Sequence, residues 1–329
     1  MLKITMSRLP LLSDPMIAVL IAATGIALLF PATGETKEAA SSISNAGIFL
    51  LFLINGMRIR RAEIVRGLSN WRYFGPLIIF VFPGMAMLGL GFAHLGGGAL
   101  PPMVALGFVY LGCLPSTVQS ATSYTSLAAG NVGLAVVGAA LINIVGVFVS
   151  APLFALLAGE AAGAIGNEAI VRIGLILVLP FVVGQIVQGR VIDRIAAHRS
   201  QIAWLDRAVI GIAVYVAFSG AVEQGLGAML ATRDWLILVA MVLGMLVIAL
   251  AAAWTSAKLL GLVRADRIAF LFAGSQKSVA IGAPLAAILF PAESAGFVIA
   301  PLLIYHLAQL VLAAPMAARM VKGRDQALG

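Results

Sequence analysis

The chain has 329 residues, of which 62% are hydrophobic and 10% charged, and its formal net charge is +8. Soluble globular domains are nearer half apolar and a quarter charged, so the surplus apolar surface must face lipid, and a water-soluble fold is excluded. The basic excess does not point to nucleic acid, because Lys and Arg stand in short clusters between apolar segments, as in loops beside an anionic leaflet.

Segments near the 20 residues needed to cross hydrocarbon are predicted at Asp14–Phe30, Ala40–Met57, Trp71–His94, Pro102–Ala129 and Val132–Ala158. A second set follows at Asn167–Gln188, Ala203–Glu223, Asp234–Leu260, Arg267–Phe290 and Ser294–Met320. The first reads as a span rather than a cleaved signal peptide, since no soluble mature domain follows it. The N-terminus, the second, sixth and eighth loops and the C-terminus together carry seventeen Lys and Arg; the remaining connections carry Lys37, Arg172 and Arg233 only. This alternation predicts both termini on the cytoplasmic side of the plasma (inner) membrane. The lone cysteine, Cys113, excludes an intrachain disulfide framework.

The halves look alike. Gly56 and Trp71 recur as Gly220 and Trp235, each 164 residues on. The fourth and ninth spans are both interrupted by polar residues. The fold class expected is an all-α membrane protein of ten transmembrane helices in two five-helix repeats, residues 1–159 and 160–329. Five is odd, so the second repeat enters the membrane upside down, the architecture of secondary transporters.

Within the fourth span, Pro115 removes a backbone donor, and Ser116, Thr117, Gln119, Ser120, Thr122 and Ser123 follow at lipid depth. Unwound backbone there must be buried in protein or line a wet cavity. These residues are expected to bind a substrate or an ion; the plainer alternative is hydroxyls bonding back to their own helix. The ninth span carries Ser275, Gln276, Lys277 and Ser278, and Lys277 is the only basic residue well inside a span. An isolated ammonium at the bilayer centre costs about 3 kcal/mol on insertion scales, so it needs a carboxylate, carbonyls or water. His306 and Gln309 lie one turn apart in the last span. They either face the cavity and carry protons or tie helices together. Asn143 joins the candidates if its face borders the broken helices, and is interhelical glue otherwise. No metalloprotease, phosphate-loop, nucleophile-elbow or Cys/His metal pattern is present, and no enzyme activity or cofactor is expected.

The run Gly112-Cys113-Leu114-Pro115-Ser116-Thr117 with Ala129-Gly130-Asn131-Val132 resembles the bile acid:sodium symporter family. Ser275-Gln276-Lys277-Ser278 with Ile281-Gly282 and Pro284 resembles its divergent SBF-like branch. The resemblance covers essentially the whole chain. It implies a panel domain from spans one, two, six and seven and a core domain from spans three to five and eight to ten. It also implies that the fourth and ninth spans unwind and cross in the core, with substrate carried between core and panel by alternating access. Typical members hold sodium with a glutamate in the ninth span and hydroxyls in the fourth and fifth. Aligned here, the glutamate falls at Phe272 and the fifth-span hydroxyls at Ala135 and Ala139, leaving Ser120, Thr122 and Gln276 as weak sodium contacts. Lys277 suggests a substitute: a fixed ammonium in the role of a bound cation, or a group that releases a proton during transport.

The function expected is secondary transport of a small organic anion, a bile-acid-like molecule or another carboxylate or sulfonate, coupled to Na⁺ or H⁺. Lys277 and the broken-helix ends would offer it a positive field. The alternatives are a cation/proton antiporter and a non-transporting regulatory membrane protein. Expected partners are the lipid bilayer, the anion and the coupling ion.

Overall fold

The computed structural model describes residues 15–62, 65, 70–159, 171–225 and 231–328, with the side chains of all of these but 322–328. The basic residues Lys3, Arg8 and Arg66 and the expected span starts at Asp14 and Asn167 lie outside the described residues.

Among the described residues every regular element is helical. In chain order they are α1 (Pro15–Leu29), α2 (Gly34–Arg58), α3 (Trp71–Gly96), α4 (Pro102–Cys113), α5 (Gln119–Leu127) and α6 (Val132–Ala158). Then come α7 (Val171–Ala197), α8 (Arg199–Glu223), α9 (Thr232–Leu259), α10 (Arg264–Ser275), α11 (Val279–Leu289) and α12 (Ala292–Leu328). Among the described residues, α2, α3, α6, α7, α8, α9, α12 and the pair α10–α11 are each long and apolar enough to cross a membrane, while α1 and α4 are shorter apolar helices. The chain is an all-α integral membrane protein.

Large aliphatic side chains stand bare on the outside of the bundle, with Leu29, Leu156 and Leu259 at least three-quarters exposed. Such a surface is unfavourable in water and at home in hydrocarbon. The pair α10–α11 is the opposite: nearly every residue from Ile268 to Leu289 is buried. It is the centre of the molecule, enclosed by α5, α6, α8, α9 and α12.

Around it, α2 packs on α7 and α8, α1 on α8, α3 on α4, and α12 on α4, α8 and α9. With lipid outside, helices gain little by hiding apolar area from one another, and close backbone approach takes over. Gly56 of α2 and Gly184 of α7 meet in this way, since a Cβ on either would strike the other helix's backbone. Gly220, the expected counterpart of Gly56, makes a different contact, with the Ala292 carbonyl at the start of α12.

Polar residues mark the two ends of the bundle. Lys37 pairs with Glu223 at 2.7 Å and Glu293 at 2.6 Å. Arg58 pairs with Asp206 at 3.0 Å. Because α2 runs from Lys37 to Arg58 and α8 from Asp206 to Glu223, these helices are antiparallel and the two clusters lie on opposite faces. The 22 residues from Lys37 to Arg58 span about 30 Å at a rise of about 1.5 Å per step, the thickness of a hydrocarbon core. Lys37 stands in the first expected connection, Glu223 at the end of the seventh expected span and Glu293 in the ninth connection; the structure brings the three into contact.

Candidate functional site

Helix α4 ends at Cys113, and its cap Leu114 is extended (φ −79°, ψ 151°). Pro115 supplies no amide to continue the ladder, and its ring sits where Gly146 of α6 leaves room; a Cβ there would overlap it. The chain resumes as α5 at Gln119. Helix α10 ends at Ser275 with Gln276 in nearly the same conformation (φ −82°, ψ 149°), and α11 begins at Val279. Pro115 and Lys277 therefore hold matching places, each one residue past the cap. The interruptions are bonded to each other: the Ser278 amide donates to Pro115 O at 3.0 Å.

Lys277 has no exposed surface. Its ammonium donates to three backbone carbonyls, Val81 O at 3.0 Å, Gly112 O at 2.9 Å and Leu114 O at 2.6 Å. Among the sequence alternatives of carboxylate, carbonyls or water, it has found carbonyls. Its backbone is held from α12. The Lys277 amide donates to Gln309 Oε1 at 2.8 Å, and Gln309 Nε2 lies 3.0 Å from Lys277 O and 2.9 Å from His306 Nδ1. Tyr305 OH donates to Ser275 O at 2.6 Å. Gln309 thus ties α12 to the second interruption, with His306 beside it.

On the other side of the crossing, Thr117 Oγ1 and Ser120 Oγ donate to Gln276 Oε1 at 2.8 and 2.5 Å, and the two hydroxyls also meet each other. Among the described residues, Gln276 Nε2 and Ser116 Oγ are buried and find no hydrogen-bond partner. Thr117 and Ser120 are half-buried, and Gln119 and Ser123 are exposed. The crossing thus gathers hydroxyl, amide and freed backbone groups in one place.

Three other candidates donate their side-chain hydrogen bonds to backbone carbonyls. Thr122 Oγ1 donates back to Val118 O and Gln119 O, at 2.9 and 3.0 Å. Ser275 Oγ donates to Leu271 O at 2.7 Å. Asn143 does border the broken helices, and its amide donates to Ser116 O at 3.1 Å and Ala139 O at 2.7 Å. Phe272 is buried against Tyr124, with ring centroids 5.8 Å apart. Ala135 and Ala139 are buried too. The positions where the family resemblance implied a carboxylate and two hydroxyls are therefore hydrocarbon.

Sequence reasoning missed Val81, Tyr305 and Tyr110, whose hydroxyl donates to Gly282 O at 2.5 Å. The available signals were Pro83, which disturbs α3 beside Val81, and tyrosines at lipid depth, whose hydroxyls need partners. An open polar cavity of about 700 Å³ lies elsewhere, at the end of the bundle around Lys37, Arg172, Glu223 and Glu293.

Residues 14–322 match the model of the SBF-like CPA transporter family. The chain is 36% identical over 327 residues to an uncharacterized protein of Pseudomonas aeruginosa, covering 98% of this chain and 97% of that one. It is 35% identical over 314 residues to a putative symporter, YfeH, of Escherichia coli, covering 95% and 94%. It is 24% identical over 303 residues to sodium/bile acid cotransporter 7 of Mus musculus, covering 89% and 88%.

Proposed function

The chain belongs to the SBF-like CPA transporter family, and we propose that it moves a small organic anion across the inner membrane by alternating access, coupled to Na⁺ or H⁺. In this reading the bundle is ten crossings in two inverted five-helix repeats, with α4–α5 and α10–α11 as the broken fourth and ninth, and both termini are cytoplasmic. The matched caps Leu114 and Gln276 and the paired contacts α2–α7 and α1–α8 support the repeat. The panel is α1, α2, α7 and α8, and the core the rest.

One observation carries the functional reading: two interrupted helices meet at Pro115 and Ser278, beside a half-open cluster of Thr117, Ser120 and Gln276. Backbone freed inside a membrane is tolerated where it serves a binding site. The unpartnered Gln276 Nε2 is a donor suited to a carboxylate or sulfonate oxygen. A name such as sodium/bile acid cotransporter favours the same class of cargo.

The test is a thermal-stability screen of the purified chain against carboxylates, sulfonates and steroid acids, each with and without sodium, followed by uptake of the hits into proteoliposomes. An anion that raises the midpoint and is taken up, with both effects weakened by Thr117→Val or Ser120→Ala, is the expected result. Sodium or calcium flux driven by a proton gradient, with no anion requirement, would replace this reading by cation/proton antiport.

A further inference from the structure

The three oxygens that hold Lys277 share an origin. In unbroken helix, Val81 O accepts from the amide at position 85, Gly112 O from position 116 and Leu114 O from position 118. None of those bonds is made as such. A π-turn at Phe80–Gly84, which contains Pro83, sends the Met85 amide to Phe80 O and Phe82 O. Helix α4 stops at Cys113, which releases the other two carbonyls. Two defects in neighbouring helices leave three acceptors converging on one point at lipid depth. The negative end of α4 adds to the field there.

We propose that Lys277 is a tethered cation that closes these backbone defects, so that the crossing assembles without a bound metal ion and the ammonium positions the site rather than binding substrate. The count supports this. An ammonium has three donors and no acceptor, and the cage presents three carbonyls at 2.6 to 3.0 Å. A neutral amine has only two donors and would turn its lone pair on the third carbonyl. Carbonyl rings of this kind replace the hydration shell of bare cations elsewhere in membranes. Here the tether supplies a second function: the side chain leaves α10–α11 and ends on α3 and α4, drawing one interruption onto the other beside the Ser278–Pro115 bond.

The inference deepens the transporter reading, but its test reads stability rather than flux, so the two fail separately. The full chain is purified in detergent, and its unfolding midpoint is measured in sodium chloride and in choline chloride. Wild type in choline chloride is expected to unfold well above Lys277→Ala in sodium chloride, any further rise in sodium being that of a coupling ion bound to the assembled fold. Lys277→Ala is expected to unfold several degrees lower. Added n-propylammonium, which matches the atoms removed from Cγ to Nζ, is expected to restore part of the loss; tetramethylammonium, which has no N–H, is expected to restore none. Lys277→Met, similar in length but uncharged, is expected to stay low. The proposal is overturned if wild type in choline chloride unfolds as low as Lys277→Ala, if Lys277→Met matches wild type, or if the two ammonium ions act alike. Should neither variant fold, the wild type decides alone: a cooperative transition in choline chloride supports the proposal, and its loss without sodium sinks it.

Discussion

Tyr305 shows what a single side chain does in this interior. Its hydroxyl donates to Ser275 O, the last carbonyl of α10, which has no amide partner once the helix stops. Tyr305→Phe leaves that carbonyl dry and unpaired, and a loss of about 1 kcal/mol is expected from the unfolding midpoint. Hydroxyls that look equivalent in sequence separate on the same principle. Thr122 is already satisfied by its own helix, so Thr122→Ala is expected to leave ligand-induced stabilisation unchanged. Thr117 and Ser120 point at Gln276 instead, and their replacement is expected to reduce that stabilisation. The two outcomes distinguish a bonding-back hydroxyl from one that lines the site.

At the scale of elements, the two interruptions have different causes. The first contains Pro115, and Gly146 leaves the space its ring needs. Gly146→Val puts side-chain atoms into that ring, and a cost of about 1–3 kcal/mol is expected from overpacking. The second has no proline in the gap; Lys277 within it reaches carbonyls of α3 and α4, and Tyr305 and Gln309 hold it from α12. Asn131 illustrates how helix starts are tied together. Its side chain accepts from the Leu134 amide at 3.1 Å and its Nδ2 donates to Asp266 at 2.9 Å, joining the start of α6 to the start of α10. Asn131→Ala is expected to cost about 1 kcal/mol through the lost cap, measurable as faster amide exchange in the first turn of α6.

Across the whole molecule, Lys37 links α2 to α8 and to the start of α12. Ion pairs near water are worth about 0–1 kcal/mol, so Lys37→Gln is expected to change the unfolding midpoint little. If panel and core move against each other, it should still loosen this end of the bundle. The expected readout is faster labelling of a cysteine placed at buried Ala295, restored by reversing the charges with Lys37→Glu, Glu223→Lys and Glu293→Lys together.

Hydrophobic patterning by itself determined where the helices lie. Val132–Ala158 was read to the residue, and Trp71, Glu223 and Phe290 fall within one residue of observed ends. The largest differences lie where a helix continues into polar sequence: α7 runs to Ala197 rather than Gln188, α12 to Leu328 rather than Met320, and α2 starts at Gly34 rather than Ala40, with Glu35, Lys37 and Glu38 in a polar first turn. That turn lies beyond the apolar stretch, where composition cannot detect a helix. Sequence also singled out Pro115 and Lys277, since a proline and a charge at lipid depth conflict with an unbroken apolar helix. What only the tertiary structure decided is where that charge goes. Val81 lies 196 residues from Lys277, and a backbone carbonyl carries no residue signature, so nothing in the chain's lettering marks it as a ligand. Which acceptors are free depends on a π-turn and a helix end in two other helices, and packing alone brings them to one amine.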